Sequence, residues 1–433
     1  MKVCIFGLGR IGLPVSLICA DSGYEVVGID INADLVNNLR EGKISFSEPG
    51  TEALLDRHLN KSFYPKYASE EISSDLREAD YIMIAVGTKF AKYPRVPRFS
   101  TLFTIIGNLV RAGLKSKTII LRVTLPIGTT DKVKRMIEEK TGLKEGKDFC
   151  LAFVPERIME GKAIQEERKL PKIVGCYSDA GFSKVEQFLQ KIGGEVIRVS
   201  SPRTAEFIKL IDNSWRDTRF AFANELAYLA EANNIDVVEA INKANHGYGR
   251  NQIASPGPVS GYCLGKDPYL LEFAFERIAR ERGFNSIWYY GRRANDWLCE
   301  KIIQEVEGKR VLIAGLAFKE NIDDFRYSHG IEIAGILVGK GYLVSVCDPY
   351  LDKNHYTRLP ENMEGKVTKS DSLESAIGHV DTVIFATRHR EYLNLDLEEL
   401  LKTKKGHIKV IDLWNIFPNL KNEKLVVHKG FGR

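Results

Sequence analysis

The chain is poor in cysteine, and its cysteines are not spaced as disulfide or metal pairs. Seven cysteines are scattered over 433 residues, and no two form a Cys-x-x-Cys pair. This spacing argues against a disulfide framework and against a zinc site, so no metal is expected. Free thiols are typical of a reducing compartment, and a cytoplasmic location is therefore expected.

Long apolar runs and strong charge are also lacking. No run of about 18 apolar residues occurs, so no membrane-spanning helix is expected. The opening residues 1–7 lack the layout of a signal peptide. The net charge of +5 is small for this length. It fits an anionic small-molecule substrate and gives no reason to expect a nucleic acid partner.

What the chain does have begins with a glycine turn between two predicted strands. The strand of residues 2–6 runs into Gly7-Leu8-Gly9-Arg10-Ile11-Gly12, and an apolar helix and a second strand that ends at Asp30 follow. The three glycines allow a tight turn, close approach of a pyrophosphate and close packing of the helix. Asp30 can bind ribose hydroxyls and would repel a 2′-phosphate, so NAD is favoured over NADP, with FAD a minor alternative. The predicted cofactor-binding residues here are Gly7, Gly9, Arg10, Ile11, Gly12 and Asp30.

Three further predicted strands end in polar or small residues. They end at Gly87-Thr88, at Thr124 and at Pro155-Glu156. Ligands of open parallel sheets bind beyond the carboxyl ends of the strands, which predicts that these residues lie at a ligand. The basic segment 89–100 that follows the first of these strands is either a solvated loop or a lid that contacts phosphate.

The middle of the chain predicts one long helix over residues 204–234, followed by more helices through Cys299. Lys209 and Asn213 are four residues apart and share one face of that helix. The polar side chains of the helix either line a site or are solvated. We expect these central helices to form a homodimer interface.

At Lys309 the strand–turn–helix pattern restarts without a Gly-x-Gly-x-x-Gly motif. This indicates a second α/β unit that binds a related ligand, such as the nucleotide of a nucleotide sugar, and not a second NAD. The predicted fold class is therefore α/β, with two Rossmann-like doubly wound parallel-sheet domains joined by a central long-helix region. The predicted domains are an NAD-binding domain (1–198), a central helical dimerisation region (199–300) and a nucleotide-sugar-binding domain (301–433).

Cys263 lies in the central region, within Ser260-Gly261-Tyr262-Cys263-Leu264-Gly265-Lys266-Asp267. A nearby lysine lowers the pKa of a thiol, and the thiolate is the nucleophilic form. Such a cysteine can form a covalent adduct with a carbonyl carbon. The alternative is a buried cysteine that only fills space in the core.

Ordered motifs over nearly the whole chain resemble the nucleotide-sugar 6-dehydrogenases, the UDP-glucose and UDP-N-acetylhexosamine dehydrogenases. The motifs are Gly7 to Pro14, Glu48-Pro49-Gly50, Thr124 to Thr130, Pro155 to Gly161, Lys209 to Asn213, Cys263 to Asp267, and Gly315 to Lys319 with Asp323 to Arg326. The resemblance implies a four-electron oxidation of the sugar C6 alcohol to a uronic acid, with two NAD⁺ and one water. The reaction would pass through a thiohemiacetal and a thioester on Cys263.

The resemblance also implies a role for each site residue. Lys209 and Asn213 would stabilise the developing oxyanion, and Glu156 would be the base that activates water. Asp267, and a water held by Thr124, would assist proton transfer. Besides Thr124, Gly87 and Thr88 would bind the cofactor. The implied substrate-binding residues are Glu156, Glu160, Lys209, Asn213, Gly261, Lys319 and Arg326.

Residues 206–217 and 223–226 resemble the UDP-N-acetylhexosamine branch, which predicts UDP-ManNAc or UDP-GlcNAc as substrate and a place in polysaccharide biosynthesis. Three alternatives stay open: a UDP-glucose 6-dehydrogenase, a two-electron β-hydroxyacid dehydrogenase, and a nucleotide-sugar-binding protein without turnover. The departures from the family pattern are Ser260 for Gly, Gly265 for Pro, Lys89 for Pro and Trp414 for Arg.

Overall fold

A computed structural model describes residues 1–90, 97–351, 359, 363–402, 407–420 and 426–432. The chain divides into two compact units, Met1–Asp212 and Asn213–Arg433. The division falls inside one helix, α9 (Pro202–Ala232). The predicted three-domain division at residues 198 and 300 stays a prediction.

Unit 1 is built on one eight-stranded sheet. Its strands, with a separate short pair β5–β6, are β1 (Lys2–Phe6), β2 (Glu25–Asp30), β3 (Phe63–Tyr67), β4 (Tyr81–Ile84), β5 (Lys89–Phe90), β6 (Pro97–Arg98), β7 (Thr118–Leu121), β8 (Cys150–Phe153), β9 (Lys172–Cys176) and β10 (Val196–Val199). Its helices before α9 are α1 (Gly12–Asp21), α2 (Ala33–Arg40), α3 (Thr51–His58), α4 (Ser73–Glu78), α5 (Ser100–Ala112), α6 (Thr129–Thr141), α7 (Ala163–Lys169) and α8 (Asp179–Ile192). The strand order is β10-β9-β8-β7-β4-β1-β2-β3, and neighbours are parallel except β8 with β9.

Unit 2 contains a six-stranded parallel sheet, and a set of helices precedes this sheet in the chain. Its strands are β11 (Arg310–Ala314), β12 (Leu343–Cys347), β13 (Thr368–Lys369), β14 (Thr382–Phe385), β15 (Ile408–Asp412) and β16 (Val426–Gly430), in the order β13-β12-β11-β14-β15-β16. Its helices after α9 are α10 (Val237–Asn245), α11 (Gly261–Leu264), α12 (Asp267–Arg282), α13 (Ile287–Gln304), α14 (His329–Gly339), α15 (Leu373–Ile377), α16 (Arg390–Leu393) and α17 (Leu397–Leu401).

Both sheets are covered on their two faces, which explains why their central strands are apolar throughout. Successive side chains of a strand point to opposite faces. In β1, Val3 and Ile5 pack into one apolar cluster, whereas Cys4 and Phe6 pack into another. The residues of β11 alternate between two clusters of unit 2 in the same way. A strand buried on both faces has no polar alternation, as is typical of parallel sheets between helices.

The predicted fold class is confirmed, and the long helix lies within two residues of its predicted bounds. The antiparallel β8–β9 pair is a difference from a wholly parallel sheet, and the apolar sequence of these strands carries no sign of direction. Within the basic segment 89–100, residues 89–90 and 97–98 form the short antiparallel pair of β5 and β6. Lys92 and Arg95 of that segment lie outside the described residues.

Candidate active site

The glycine turn of unit 1 requires glycine at two of its three glycine positions. Gly7 has φ +95°, and a Cβ there would lie 2.8 Å from the carbonyl oxygen of Ala85. A Cβ on Gly12 would lie 1.8 Å from the carbonyl oxygen of Gly7, so the first turn of α1 can approach the loop only without a side chain. Nothing lies within 4 Å of a Cβ on the exposed Gly9, which leaves its backbone open to a ligand.

Asp30, the last residue of β2, accepts a hydrogen bond from this turn. Its carboxylate accepts hydrogen bonds from the backbone N–H of Leu8 at 2.7 Å and of Asn32 at 2.9 Å. Asp30 therefore holds the glycine turn and places a negative charge beside it. These residues fit an NAD with free ribose hydroxyls, because an anion at this point disfavours a 2′-phosphate. Arg10 stacks over the ring of Phe46 at 5.1 Å.

The polar strand ends predicted from the sequence come together at one edge of the first sheet. Strands β4, β7 and β8 are neighbours and parallel, so Thr88, Thr124 and Glu156 follow adjacent strand ends. The buried Thr88 donates its hydroxyl to the carbonyl oxygen of Thr124 at 2.5 Å. Gly87 stands exposed beside Thr88.

Glu156 and Lys209, each predicted as a site residue, lie side by side. The Lys209 ammonium lies 3.7 Å from a carboxylate oxygen of Glu156 and donates to the Glu156 carbonyl. Both side chains are about nine-tenths buried. A buried cation beside a buried carboxylate compensates its charge, which is costly to leave unpaired.

Glu48 is a supporting residue whose function the sequence did not reveal. Its buried carboxylate accepts from the N–H groups of Gly161 at 2.7 Å and Ala163 at 2.8 Å. It therefore fixes the segment that follows Glu156 and contains Glu160. The Glu-Pro-Gly motif was visible, but its partner lies more than 110 residues away in the chain.

Asn213 and Asp267 meet in unit 2. The Asn213 amide donates to one Asp267 carboxylate oxygen at 2.5 Å, and the Lys266 ammonium donates to the other at 2.5 Å. Asp267 is fully buried at the start of α12, and Arg216 donates to the amide oxygen of Asn213. Lys266 is therefore engaged by Asp267, its immediate neighbour, and its role beside Cys263 is smaller than the sequence suggested.

Cys263 is exposed on the single helical turn α11. The turn begins at Gly261, whose φ is +92° and where a Cβ would lie 2.5 Å from the Phe318 ring. The Gly261 N–H donates to the carbonyl oxygen of Tyr327 at 2.9 Å. An exposed thiol on a turn that is fixed at its first residue does not have the surroundings of a cysteine that only fills space in a core.

The two departures within this loop have structural roles. The Ser260 hydroxyl accepts from the backbone N–H of His329 at 3.2 Å, at the start of α14. The Gly265 N–H donates to the carbonyl oxygen of Gly261 at 3.2 Å, and a proline could not form this bond.

Trp414, the departure near the C-terminus, donates its indole N–H to the carbonyl oxygen of Ala386 at 2.9 Å. Its ring would lie 2.7 Å from a Cβ on Gly257.

The predicted substrate residues of the second α/β unit lie in one segment between β11 and α14. Arg326 forms a two-pronged ion pair with Asp324, at 2.9 and 2.6 Å, and its guanidinium lies 5.1 Å from the ring centre of Tyr262. Lys319 is half-buried after the turn that follows β11. This segment lies between Gly315 and Gly330 in the sequence. A Cβ on Gly330 would lie 2.5 Å from the Gly315 carbonyl oxygen.

Asp348 occupies in unit 2 the place that Asp30 has in unit 1, at the end of the second strand. It accepts from the N–H of Leu316 at 2.5 Å and of Ala317 at 3.0 Å. The buried His389 accepts from the N–H of Asn321 through Nδ1 at 3.0 Å, so its Nε2–H donates to Asp348 at 3.2 Å. This carboxylate is buried and already bound, which disfavours a second ribose there.

The described part of the chain holds no cluster of three metal-ligating side chains. Among the described helices, none is long and apolar enough to cross a membrane.

Comparison with known proteins gives three family matches in chain order. Residues 1–192 match the NAD binding domain, residues 203–296 the central domain and residues 312–419 the UDP binding domain of the UDP-glucose/GDP-mannose dehydrogenase family.

Two curated relatives are similar over most of their length. The UDP-N-acetyl-D-mannosamine dehydrogenase of Pyrococcus horikoshii is 31% identical, with 96% of both chains covered. That of Campylobacter jejuni is 31% identical, with 92% of this chain and 98% of the relative covered. A solved structure of UDP-D-ManNAc dehydrogenase from Pyrococcus horikoshii has a TM-score of 0.86 at 28% identity, and covers 100% of this chain and 99% of that one.

Proposed function

Because the chain belongs to the UDP-glucose/GDP-mannose dehydrogenase family, we propose that it oxidises C6 of UDP-N-acetyl-D-mannosamine to the uronic acid. It is an NAD-dependent nucleotide-sugar dehydrogenase, and the sugar is the part that we propose. The names of the two curated relatives support UDP-N-acetylmannosamine. UDP-glucose, which the family description includes, is the second candidate.

The cofactor would be held by the glycine turn and the strand ends of unit 1. When bound, NAD⁺ accepts the hydride that leaves C6 in each oxidation. Gly7, Gly9 and Gly12 would admit the pyrophosphate, and Asp30 would bind the ribose. Arg10, Ile11, Gly87 and Thr88 would complete the cofactor site.

The exposed thiol of Cys263 is the observation that carries the proposed mechanism. The alcohol loses two electrons and two protons to give an aldehyde. The thiol adds to the aldehyde carbon, giving a thiohemiacetal, and loss of a second hydride and a proton gives a thioester. Water then cleaves the carbon–sulfur bond, which releases the carboxylate and restores the thiol. A two-electron hydroxyacid dehydrogenase or a binding protein has no need of this nucleophile.

The other site residues would handle charge and protons. Glu156, with Lys209 beside it, would take the proton of the attacking water, and a water held by Thr124 would assist. Lys209 and Asn213 would donate to the oxyanion that develops on the carbonyl. The hydrogen bond to Asp267 uses one N–H of the Asn213 amide and fixes its orientation, so the second N–H would be the one that donates to the oxyanion.

The sugar nucleotide would be bound by the predicted substrate residues. Lys319 and Arg326 would bind the nucleotide part, with Lys319 near the diphosphate. Gly261 and Glu160 would contact the sugar. The division into an NAD-binding, a central and a UDP-binding domain belongs to this proposal.

We further propose a homodimer through the central helices. Within unit 2, three large apolar side chains repeat every seven residues along α9 and are exposed by more than half: Trp215, Phe222 and Leu229. Such a row is costly to leave in water and is typical of a helix that packs against another.

We also propose that the protein works in the cytoplasm, where cysteines stay reduced, and that it supplies uronic acids for polysaccharide biosynthesis.

The test is the yield of NADH per sugar with a panel of UDP-N-acetylmannosamine, UDP-N-acetylglucosamine and UDP-glucose. We expect two NADH for each UDP-N-acetylmannosamine and one new carboxylate by mass spectrometry. Cys263→Ala should abolish the acid and keep NAD⁺ affinity within about twofold, whereas the control Cys347→Ala, at a buried cysteine of the same unit, should keep both. One NADH per sugar would contradict the thioester route, and two NADH with UDP-glucose alone would reassign the substrate.

A further inference from the structure

A single guanidinium binds the backbone on both sides of the Cys263 turn. Arg292 of α13 donates through Nη2 to the carbonyl oxygen of Val259 at 3.0 Å and through Nη1 to that of Leu264 at 3.3 Å. Val259 precedes the turn, and Leu264 follows Cys263 directly. The thiol therefore stands on a segment whose two ends are bound by the same side chain.

Arg292 is itself fixed in place. Its side chain is 1% exposed, and it binds the fully buried Asp217 at 2.5 Å and Asp296 at 3.1 Å. Asn295 donates its amide to the Asp217 carboxylate at 2.9 Å and to the Asp217 carbonyl at 3.0 Å. Burial raises the pKa of Asp217 to about 6, so at pH 7.5 its carboxylate is ionised and pairs with the guanidinium.

Asn224 extends the same hydrogen-bond network to Gly257, which lies before the turn. The Asn224 amide donates to the carbonyl oxygen of Gly257 at 3.1 Å and accepts from the Gly257 N–H at 2.8 Å. It also donates to Asn295 at 2.8 Å. The network thus connects the backbone at Gly257, Val259 and Leu264 to side chains of α9 and α13, and each of these bonds limits the motion of the segment.

Arginine suits this task and lysine does not. The planar guanidinium presents several N–H groups in a fixed fork, which sets the direction of two carbonyl groups and two carboxylates together. A lysine keeps the charge but cannot hold these acceptors in one plane. A displacement of about 1 Å of a reacting group costs about 100-fold in rate.

We propose that Arg292 is a positioning residue that fixes the Cys263 turn so that the thiol meets the aldehyde carbon. The inference rests on the proposed role of Cys263 as nucleophile. It concerns the second oxidation, because only that step needs the sulfur–carbon bond. The first oxidation, from alcohol to aldehyde, is expected to proceed without Arg292.

The test compares Arg292→Lys with Arg293→Lys, a matched change at the next residue, whose side chain is exposed. We expect amide hydrogen exchange of residues 259–266 to rise at least about tenfold in Arg292→Lys, with the rest of unit 2 within about twofold. The first NADH should form at a rate near wild type and the second at least about tenfold more slowly, with free aldehyde trapped by hydroxylamine. The KM for NAD⁺ should stay within about twofold, and Arg293→Lys should match wild type throughout.

Unchanged exchange in residues 259–266, or equal slowing of both NADH phases, would overturn the inference. If Arg292→Lys does not fold, Asp296→Asn removes the charge of one of the two carboxylates that hold the guanidinium. It should change the same two readouts about threefold, and no change would likewise overturn the inference. If the wild type itself releases only one NADH per sugar, the proposed function fails, and the exchange data alone decide whether Arg292 fixes the turn.

Discussion

The Asn213 amide donates to Asp267 at 2.5 Å, and this bond joins α9 to the first turn of α12. The same carboxylate accepts from Lys266 through its other oxygen. The fully buried Asp267 carboxylate thus accepts from Asn213, a proposed oxyanion donor, and also pairs with the buried Lys266 cation.

Asp267→Asn is expected to reduce both activity and stability. The change leaves the Lys266 ammonium buried without its anion, which costs about 3 kcal/mol of the free energy of unfolding. Acid formation should slow about 100-fold, because proton transfer and the fixed Asn213 amide are both disturbed. Urea unfolding and kcat measure the two effects. Glu281→Gln, which breaks the exposed pair Arg277–Glu281, is the control and should cost at most about 0.5 kcal/mol.

Asp30→Ser is expected to relax the choice of cofactor. The change removes the anion that disfavours a 2′-phosphate and weakens the bond to the Leu8 N–H, so the affinity for NAD⁺ should fall about tenfold. The ratio of kcat/KM for NADP⁺ to that for NAD⁺ should rise. Asp34→Ser, at an exposed position of α2, should leave both values as they are. An unchanged ratio in Asp30→Ser would count against the assigned ribose contact.

His329 is expected to make the protein sensitive to acid. Burial lowers its pKa to about 4, below the ordinary value of 6.5. The unfolded chain therefore binds the proton between pH 6.5 and 4 and the folded chain does not, so stability is lost as the pH falls through this range. From pH 7.5 to 5.0 the histidine should account for a loss of about 2 kcal/mol.

The measurement is urea unfolding of wild type and His329→Leu at these two pH values. The variant should lose about 2 kcal/mol less than wild type on acidification. The exposed His246 gives the control, and His246→Leu should show the wild-type loss. Equal losses in wild type and His329→Leu would contradict the assignment.

Phe222→Glu is expected to separate the proposed dimer. The charge would lie in the middle of the apolar row on α9, where a partner helix would have to bury it without a counter-ion. Light scattering should give a mass near 48.8 kDa for the variant and twice this mass for wild type. Leu343→Glu, at another exposed apolar residue of unit 2, should stay dimeric. A wild-type monomer would refute the dimer.

Local patterns were enough to predict much of this molecule. The sequence predicted α9 because apolar residues recur at helical spacing, and it predicted the Asp30 and Glu156 positions because strand ends in a parallel sheet share one edge. These predictions needed only periodicity and the rule for where ligands bind in open sheets.

The rest depended on contacts between residues far apart in the chain. Arg292 sits in an ordinary helix, and its partner Asp217 is 75 residues away. Lys266 pairs with Asp267 because both side chains are buried, and the neighbouring residues in the sequence do not reveal this burial. Glu48 was part of a visible motif, yet its partners were not. Periodicity reports which face of a helix is buried, but not which distant group it meets.

The buried bond between Asp348 and His389 has a kinetic consequence. In the described residues, only the first of the two similar units presents a partly exposed carboxylate at the end of its second strand, whereas the proposed reaction needs two oxidations for each sugar. A reduced cofactor must therefore leave and an oxidised one must enter between the two oxidations, while the half-oxidised sugar waits. A covalent bond to the enzyme during this exchange prevents a reactive aldehyde from escaping into the surrounding water.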